Sequence, residues 1–280
     1  HNMPKQNKHF SHALCAALVV LLAAPASAVE LDNLPELAAD LAAPQEPQPP
    51  QYLLGSLGVA LVNTGRFVGS DERVTLPLPL VYFNYNDRLY WSITSIGAWL
   101  VRSDDRKFRI GLMAKARGAI DGGDTPYTGI ADRDASVDAG LNLMWRVQGL
   151  TLGASWLADA LGRSHGQTAS LRLSLPIKLS DRWTTTPSVS AEWMDQQLAD
   201  YYYGITPAET SGGAPLYAGT ATTNLRAGWS LSYRIDQHWR LLGGLSYTRL
   251  GTGIADSPLV SQSDNLLAYA GFTWTFGHFH

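Results

Sequence analysis

The stretch Leu266 to Phe276 constrains this chain most. Its alternate residues Leu266, Ala268, Ala270, Phe272, Trp274 and Phe276 are all apolar, and the last three are aromatic. The intervening set, Leu267, Tyr269, Gly271, Thr273 and Thr275, mixes small, polar and larger residues. Successive side chains of an extended chain point to opposite faces, so a period of two predicts a strand. A soluble sandwich has no need to gather aromatics at one end of an apolar face. A bilayer does, because amphipathic rings settle at the lipid–water interface. The pattern predicts the closing strand of an all-β, antiparallel transmembrane β-barrel, with a soluble all-β fold as the alternative.

The same alternation recurs upstream, over residues 52–276. Ala135, Val137, Ala139, Leu141, Leu143 and Trp145 alternate with Ser136, Asp138, Gly140, Asn142 and Arg146. Leu225, Ala227, Trp229, Leu231 and Tyr233 alternate with Asn224, Arg226, Ser230, Ser232 and Arg234. Trp and Tyr recur near strand ends, as interfacial girdles require. Charged residues make up only 16% of the chain, yet past the N-terminal region no apolar run approaches the roughly eighteen residues of a membrane helix. Low charge without membrane helices fits a barrel, whose hydrophobicity is hidden by alternation.

One strand breaks a rule. Val74, Leu76, Leu78, Leu80 and Tyr82 alternate with Thr75, Pro77 and Pro79. Each proline removes a ladder donor, so two of them predict a bend or an incomplete ladder.

The N-terminus reads as a route to the membrane. Lys5 and Lys8 precede an apolar run from Ala13 to Ala24, and Ala26-Ser27-Ala28 forms a small-residue cleavage site. Residues 1–28 are therefore expected to be a secretory signal peptide. Cys15, the only cysteine, falls inside it, which leaves no disulfide and no Cys-based metal site afterwards. Removing Lys5 and Lys8 reduces the 21 basic residues to 19, against 24 acidic ones, a balance without a nucleic-acid signature. Residues 29–51 carry five prolines and five unopposed acids, from Glu30 to Glu46, and are expected to be a disordered periplasmic linker or a docking segment. Residues 277–280 form a short tail.

Spacer lengths predict orientation. Short turns fall at 147–149, 180–182 and 236–238, and long connections at 118–133, 196–222 and 251–262. Outer-membrane barrels keep short turns in the periplasm and long loops outside. Working back from a periplasmic C-terminus, every long connection falls outside. Eleven strands are countable, whereas single-chain bacterial barrels have an even number. Splitting residues 88–103 into two short strands gives twelve and keeps each loop on its proper side; ten is the alternative. Two such short strands predict an irregular wall beside the proline strand.

Several strings carry a resemblance: Pro77-Leu78-Pro79-Leu80, Asp132-Arg133-Asp134-Ala135-Ser136, Asp200-Tyr201-Tyr202-Tyr203-Gly204-Ile205, Tyr247-Thr248-Arg249-Leu250 and Asp256-Ser257-Pro258-Leu259-Val260. In that order they resemble the MltA-interacting protein family, also called MipA/OmpV, over nearly all of residues 29–280. The resemblance implies a barrel in the outer membrane of a Gram-negative bacterium. It also implies a scaffold role, with a lytic transglycosylase and a murein synthase as partners in peptidoglycan turnover. It supplies no catalytic residue. The C-terminal strand also resembles the signal read by the bacterial barrel-assembly machinery, although the chain runs on through Gly277-His278-Phe279-His280.

Chemistry-bearing residues are few. Ser164-His165 with Asp159 is the best nucleophile candidate, but adjacent strand residues point to opposite faces, whereas triad partners must share a site. No catalytic, metal-binding or cofactor-binding residue is expected. The set expected to face the lumen is basic: Arg109, Lys115, Arg117, Arg146, Arg172, Lys178, Arg226, Arg234 and Arg240, answered in part by Asp138, Asp159 and Glu192. Such a set predicts either an ion-pair network plugging a narrow barrel or an anion-favouring channel for small solutes. Tyr201, Tyr202 and Tyr203 either pack a loop over the barrel mouth or form an exterior contact surface.

Overall fold

A computed structural model describes residues 53–277. The expected signal peptide, the whole of the expected linker and His278 to His280 lie outside the described residues.

Thirteen strands form one antiparallel sheet: β1 (Leu53–Gly65), β2 (Arg73–Tyr85), β3 (Leu89–Ser92), β4 (Ser95–Arg102), β5 (Phe108–Arg117), β6 (Ser136–Val147), β7 (Leu150–Asp159), β8 (Gln167–Ser174), β9 (Ile177–Lys178), β10 (Trp183–Met194), β11 (Thr222–Arg234), β12 (Trp239–Arg249) and β13 (Asp264–Phe276). β8 and β9 both pair with β10, Thr168 to Ser174 on one segment and Ile177-Lys178 on the other. They are one stave interrupted at Leu175-Pro176, and the barrel has twelve staves. Sequential neighbours pair throughout, and β13 closes on β1 from Gly55↔Phe276 to Asn63↔Ala268. Closure leaves no free sheet edge at the seam, as hydrocarbon demands.

Residues 88–103 form two short strands, as the even-number rule predicts. β3 and β4 turn at Ile93-Thr94, part-way up the wall. A bulge between Trp99 and Val101 then turns Leu100 and Val101 outward together.

The short connections, 86–88, 103–107, 148–149, 179–182 and 235–238, lie at one end with Leu53 and Phe276. The long ones, 118–135, 195–221 and 250–263, lie at the other. Gln148 and Gly149 both have positive φ, at 50° and 85°, the geometry a two-residue hairpin turn requires. The outer surface carries an apolar belt that includes Leu61, Leu112, Leu141, Leu171, Val189, Leu225 and Leu245. Trp145, Trp183, Trp239 and Trp274 ring its short-turn end, while Trp156, Trp193 and Tyr247 stand near the other. These are the two interfacial girdles.

β2 departs from the simple rule that the apolar face meets lipid. Leu78, Leu80 and Tyr82 are buried in the lumen, whereas Thr75, Pro77 and Pro79 face outward. Both faces of this strand are nearly apolar, so alternation alone does not say which is inside.

Candidate functional site: the lumen and its two closures

The lumen has two halves. Leu54, Ala60 and Val62 from β1, Leu78, Leu80 and Tyr82 from β2, Leu242 from β12, and Leu267 and Tyr269 from β13 pack into one dry cluster. Ile93, at the tip of the β3–β4 hairpin, packs against it. Gly244 makes room, since a Cβ there would lie 2.6 Å from the Tyr269 hydroxyl. Each large side chain so buried contributes about 1.5–3 kcal/mol.

Around the other half, from β5 to β11, the inward positions are mostly Ser, Thr, Asn, Arg and Lys. Arg117 meets Asp138 at 2.6 Å, both nearly inaccessible, and its guanidinium also lies over the Tyr202 ring. Lys115 and Glu192 are 3.9 Å apart. Arg172 donates to the Ser188 hydroxyl at 3.3 Å, and Arg226 to the Thr248 hydroxyl at 3.0 Å. Ser155 and Ser170 share a 2.7 Å hydrogen bond across β7 and β8. Arg240 is half-buried, while Lys178 and Arg234 are exposed at the short-turn rim, where Arg234 donates to the Asp181 carbonyl.

The short-turn end is drawn inward around Asp87, in the turn after β2. This buried carboxylate holds Arg109 at 2.7 Å, with Arg102 and Arg106 each at 3.9 Å. Arg146 lies within electrostatic reach of Arg109 and Asp87. Arg109 also stands over the Trp99 ring, Trp99 stacks on Tyr90, and Tyr90 accepts a hydrogen bond from Asn142 at 2.6 Å. Sequence reasoning missed Asp87. Its one local signal, Asn86-Asp87 between strands, reads only as a turn.

The long-loop end is capped. Helix α1 (Gln196–Tyr203) begins at Asp195, whose carboxylate accepts the Leu198 N–H at 2.9 Å, the usual cap of an N-terminus. Its Leu198, Ala199, Tyr202 and Tyr203 are buried with Phe67, Ile120, Met194, Leu250 and Ile254, a cluster drawn from all the long connections. Tyr201 packs edge-on against Tyr202, at 4.9 Å between centroids, and is half-buried.

Four of the five strings that carry the resemblance reach this cap, Leu250 through its buried cluster and the other three through hydrogen bonds; Pro77 to Leu80 stays in the wall. Arg133 donates to the Gly204 carbonyl at 2.9 Å, and the Tyr202 hydroxyl donates to the Asp134 carbonyl at 3.0 Å. The Asp134 N–H donates to the Tyr201 hydroxyl at 3.1 Å, and the Ser257 hydroxyl to the Tyr203 carbonyl at 2.6 Å. Arg133 is also paired with Glu209 at 2.9 Å, both buried. Burial pushes the Glu209 carboxyl up. Hydrogen bonds from Arg133, from the N–H groups of Thr206 and Ala131, and from the Thr206 hydroxyl outweigh it and hold the group at about 2. Glu209 too escaped sequence reasoning, because its partner is far away in the chain.

Asp159, Ser164 and His165 share one turn, organised around the Asp159 carboxylate. Asp159 accepts from the N–H groups of Leu161, Gly162, Ser164 and His165 and from the Ser136 hydroxyl. The Ser164 hydroxyl is buried and accepts from the Gly166 N–H. Among the described residues no three His, Cys, Asp or Glu side chains converge as metal ligands would.

Comparison with known proteins places this architecture. The chain is 25% identical over 225 residues to the outer membrane protein YiaT of Escherichia coli, covering 78% of this chain and 88% of that one. It is 26% identical over 213 residues to the MltA-interacting protein of Escherichia coli, covering 71% and 81%. It is 26% identical over 148 residues to the outer membrane protein OmpV of Vibrio cholerae, covering 53% and 57%. Among solved structures, the NanC porin superposes with a TM-score of 0.42 at 11% identity, covering 78% of this chain and 98% of that one. An outer membrane channel from Pseudomonas putida superposes with a TM-score of 0.39 at 12% identity, covering 82% and 97%. Residues 57–276 match the family model described as MltA-interacting protein MipA, and this outer-membrane barrel belongs to that family.

Proposed function

We propose that this barrel is a non-catalytic scaffold, which holds murein-hydrolysing and murein-synthesising enzymes at the inner face of the outer membrane. The observation that carries the reading is the packing that covers the long-loop end and fills much of the lumen below it. The long loops pack into a buried cap, Asp87 gathers three arginines at the short-turn end, and leucines fill half the lumen between them. Such a barrel is built to be rigid rather than to conduct. The relative named for its interaction with MltA suggests a lytic transglycosylase as one partner. Long loops of such barrels face outward, so the cap is on the wrong side of the membrane for a murein enzyme. The short turns bury little, whereas a stable interface needs roughly 800 Å² per partner. The acidic residues 29–51 are the periplasmic segment long enough to supply the difference.

Pull-down of a purified lytic transglycosylase tests this. Deleting residues 30–50 should weaken capture, and Tyr201→Ala, on the opposite face, should leave it unchanged. Capture that survives the deletion and fails with Tyr201→Ala would overturn the docking proposal.

The second reading is a channel for small anions, favoured by Arg172 and Arg226 on the polar half of the lumen. It requires current in a planar bilayer. The scaffold reading expects negligible conductance, and a steady anion-selective current that Arg172→Glu with Arg226→Glu reverses would favour the channel.

A further inference from the structure

The wall between β2 and β5 is incomplete toward the long-loop end. Tyr82 pairs with Ser92, Ser92 with Ser95, and Ser95 with Lys115, and at that level the β3–β4 hairpin ends. β2 continues past it from Val81 back to Arg73, paired to β1 all the way, but no described strand pairs with its other edge there. The last bond on that edge runs from the Ile93 N–H to the Val81 carbonyl, at 2.8 Å.

That bond fixes which residues aim backbone groups at the gap. Main-chain groups alternate sides along a strand, so Pro79, Pro77 and Thr75 follow Val81. At the first two of these positions the donor that lipid could not satisfy is absent. The prolines mark an edge built to stay unpaired in hydrocarbon. They also exclude a partner strand, because strand addition depends on main-chain donors and acceptors.

The gap is framed. Its sill is Ile93-Thr94, tied to β5 by the Ala116 N–H bonding to the Thr94 carbonyl at 2.9 Å. Its top is bridged by Arg66, which pairs with Asp124 at 2.9 Å, and by Phe67 and Ile120 in the cap cluster. Outside, Pro77 and Pro79 are exposed beside Leu61 and Val59 of β1, and Leu61 is 59% exposed on the lipid belt. Inside, Val74 and Leu76 keep part of their surface accessible and lead to Leu78, Leu80 and the dry cluster. The opening therefore joins lipid to the apolar half of the lumen.

We propose that this window is a lateral port, and that an acyl chain of the surrounding membrane lipid enters it to lie against Val74, Leu76 and Ile93. A chain without hydrogen-bonding groups suits a stretch of frame from which the donors at Pro77 and Pro79 are absent. The proposal does not rest on the scaffold role.

Fluorescence quenching in vesicles tests it. In a Cys15→Ser background, Leu76→Cys, Leu61→Cys and Ser170→Cys are each labelled with an environment-sensitive thiol fluorophore. Each is reconstituted into phosphatidylcholine vesicles containing lipid spin-labelled at mid-chain. Leu61 reports the lipid face and Ser170 the polar lumen. The label at Leu76 should lose fluorescence as the one at Leu61 does. A label at Leu76 that is spared like the one at Ser170 overturns the port. If Leu76→Cys loses the mobility difference between boiled and unboiled protein, Val74→Cys replaces it with the same expectations. Adding Ile93→Trp, which fills the sill, should reduce quenching at Leu76 and not at Leu61. Undiminished quenching would mean that lipid does not enter there, and the port would fall.

Discussion

The two halves of the lumen bury their surface by opposite means. On β12, β13, β1 and β2, leucines, small aliphatics and two tyrosines pack without directional demands. From β5 to β11, guanidiniums, carboxylates and hydroxyls hold one another at fixed distances. The first arrangement tolerates changes that conserve volume, and the second fails when one member of a pair is lost. The difference also shows where side-chain alternation is informative. A strand whose two faces differ in polarity announces which is inside, and one with two apolar faces does not.

Four experiments break or sharpen that contrast. Arg117→Leu strands the buried Asp138 carboxylate and should cost about 3–5 kcal/mol. Adding Asp138→Asn should recover much of the loss, as urea unfolding in detergent micelles would show. Recovery would confirm that the stranded charge, rather than lost packing, sets the cost. Leu80→Ala removes a side chain with no exposed surface from the apolar half. It should cost about 2–5 kcal/mol, whereas Leu80→Met should cost less than about 1.5 kcal/mol. A larger loss for Met would mean that the apolar half is as exacting as the polar one.

Pro77→Ala with Pro79→Ala places two N–H donors at the open frame. Each donor left without a partner should cost about 1–3 kcal/mol. Unfolding at unchanged urea concentration would mean that water already reaches that edge.

The smallest effect concerns Glu209 in the cap. Its carboxyl lies at about 2, below its ordinary 4.5. A depressed acid contributes stability fully above the unfolded value and loses it as pH falls through the folded value. The cap should therefore be unchanged from pH 8 to 5 and loosen between about pH 4 and 2. Pepsin cleavage within 196–220 should rise over that interval, and Glu209→Gln should remove the pH dependence.

Much of the fold was legible in the sequence, because alternation, turn residues and the parity of strands are local or countable. Trp145, Trp183, Trp239 and Trp274 could be placed near strand ends from the chain alone. The need for an even number also called for two short strands within residues 88–103, but the sequence suggested a break at Ser95 to Gly97, whereas the turn is at Ile93-Thr94 and residues 95–97 belong to β4. Asp138 and Glu192 could be named as answering the lumen bases, but which base each acid meets was not legible. Arg109 meets a turn acid read only as a turn, and Arg133 finds Glu209 in a different loop, because loop packing has no period. Tyr202 and Tyr203 stood out as a string, yet their burial depends on Phe67 and Ile254, which nothing in the string mentions.

The seam between β13 and β1 has a consequence for assembly. Ser56 and Thr275 share a 2.9 Å hydrogen bond across 219 positions of chain. Gly58 sits so close to the partner strand that a Cβ would lie 2.1 Å from the Phe272 carbonyl. Pairings this distant in sequence form slowly, since the whole intervening chain must be ordered before they help. Until Phe276 arrives, β1 waits as an open template for any other strand. That waiting time is the interval in which association with other strands competes with closure.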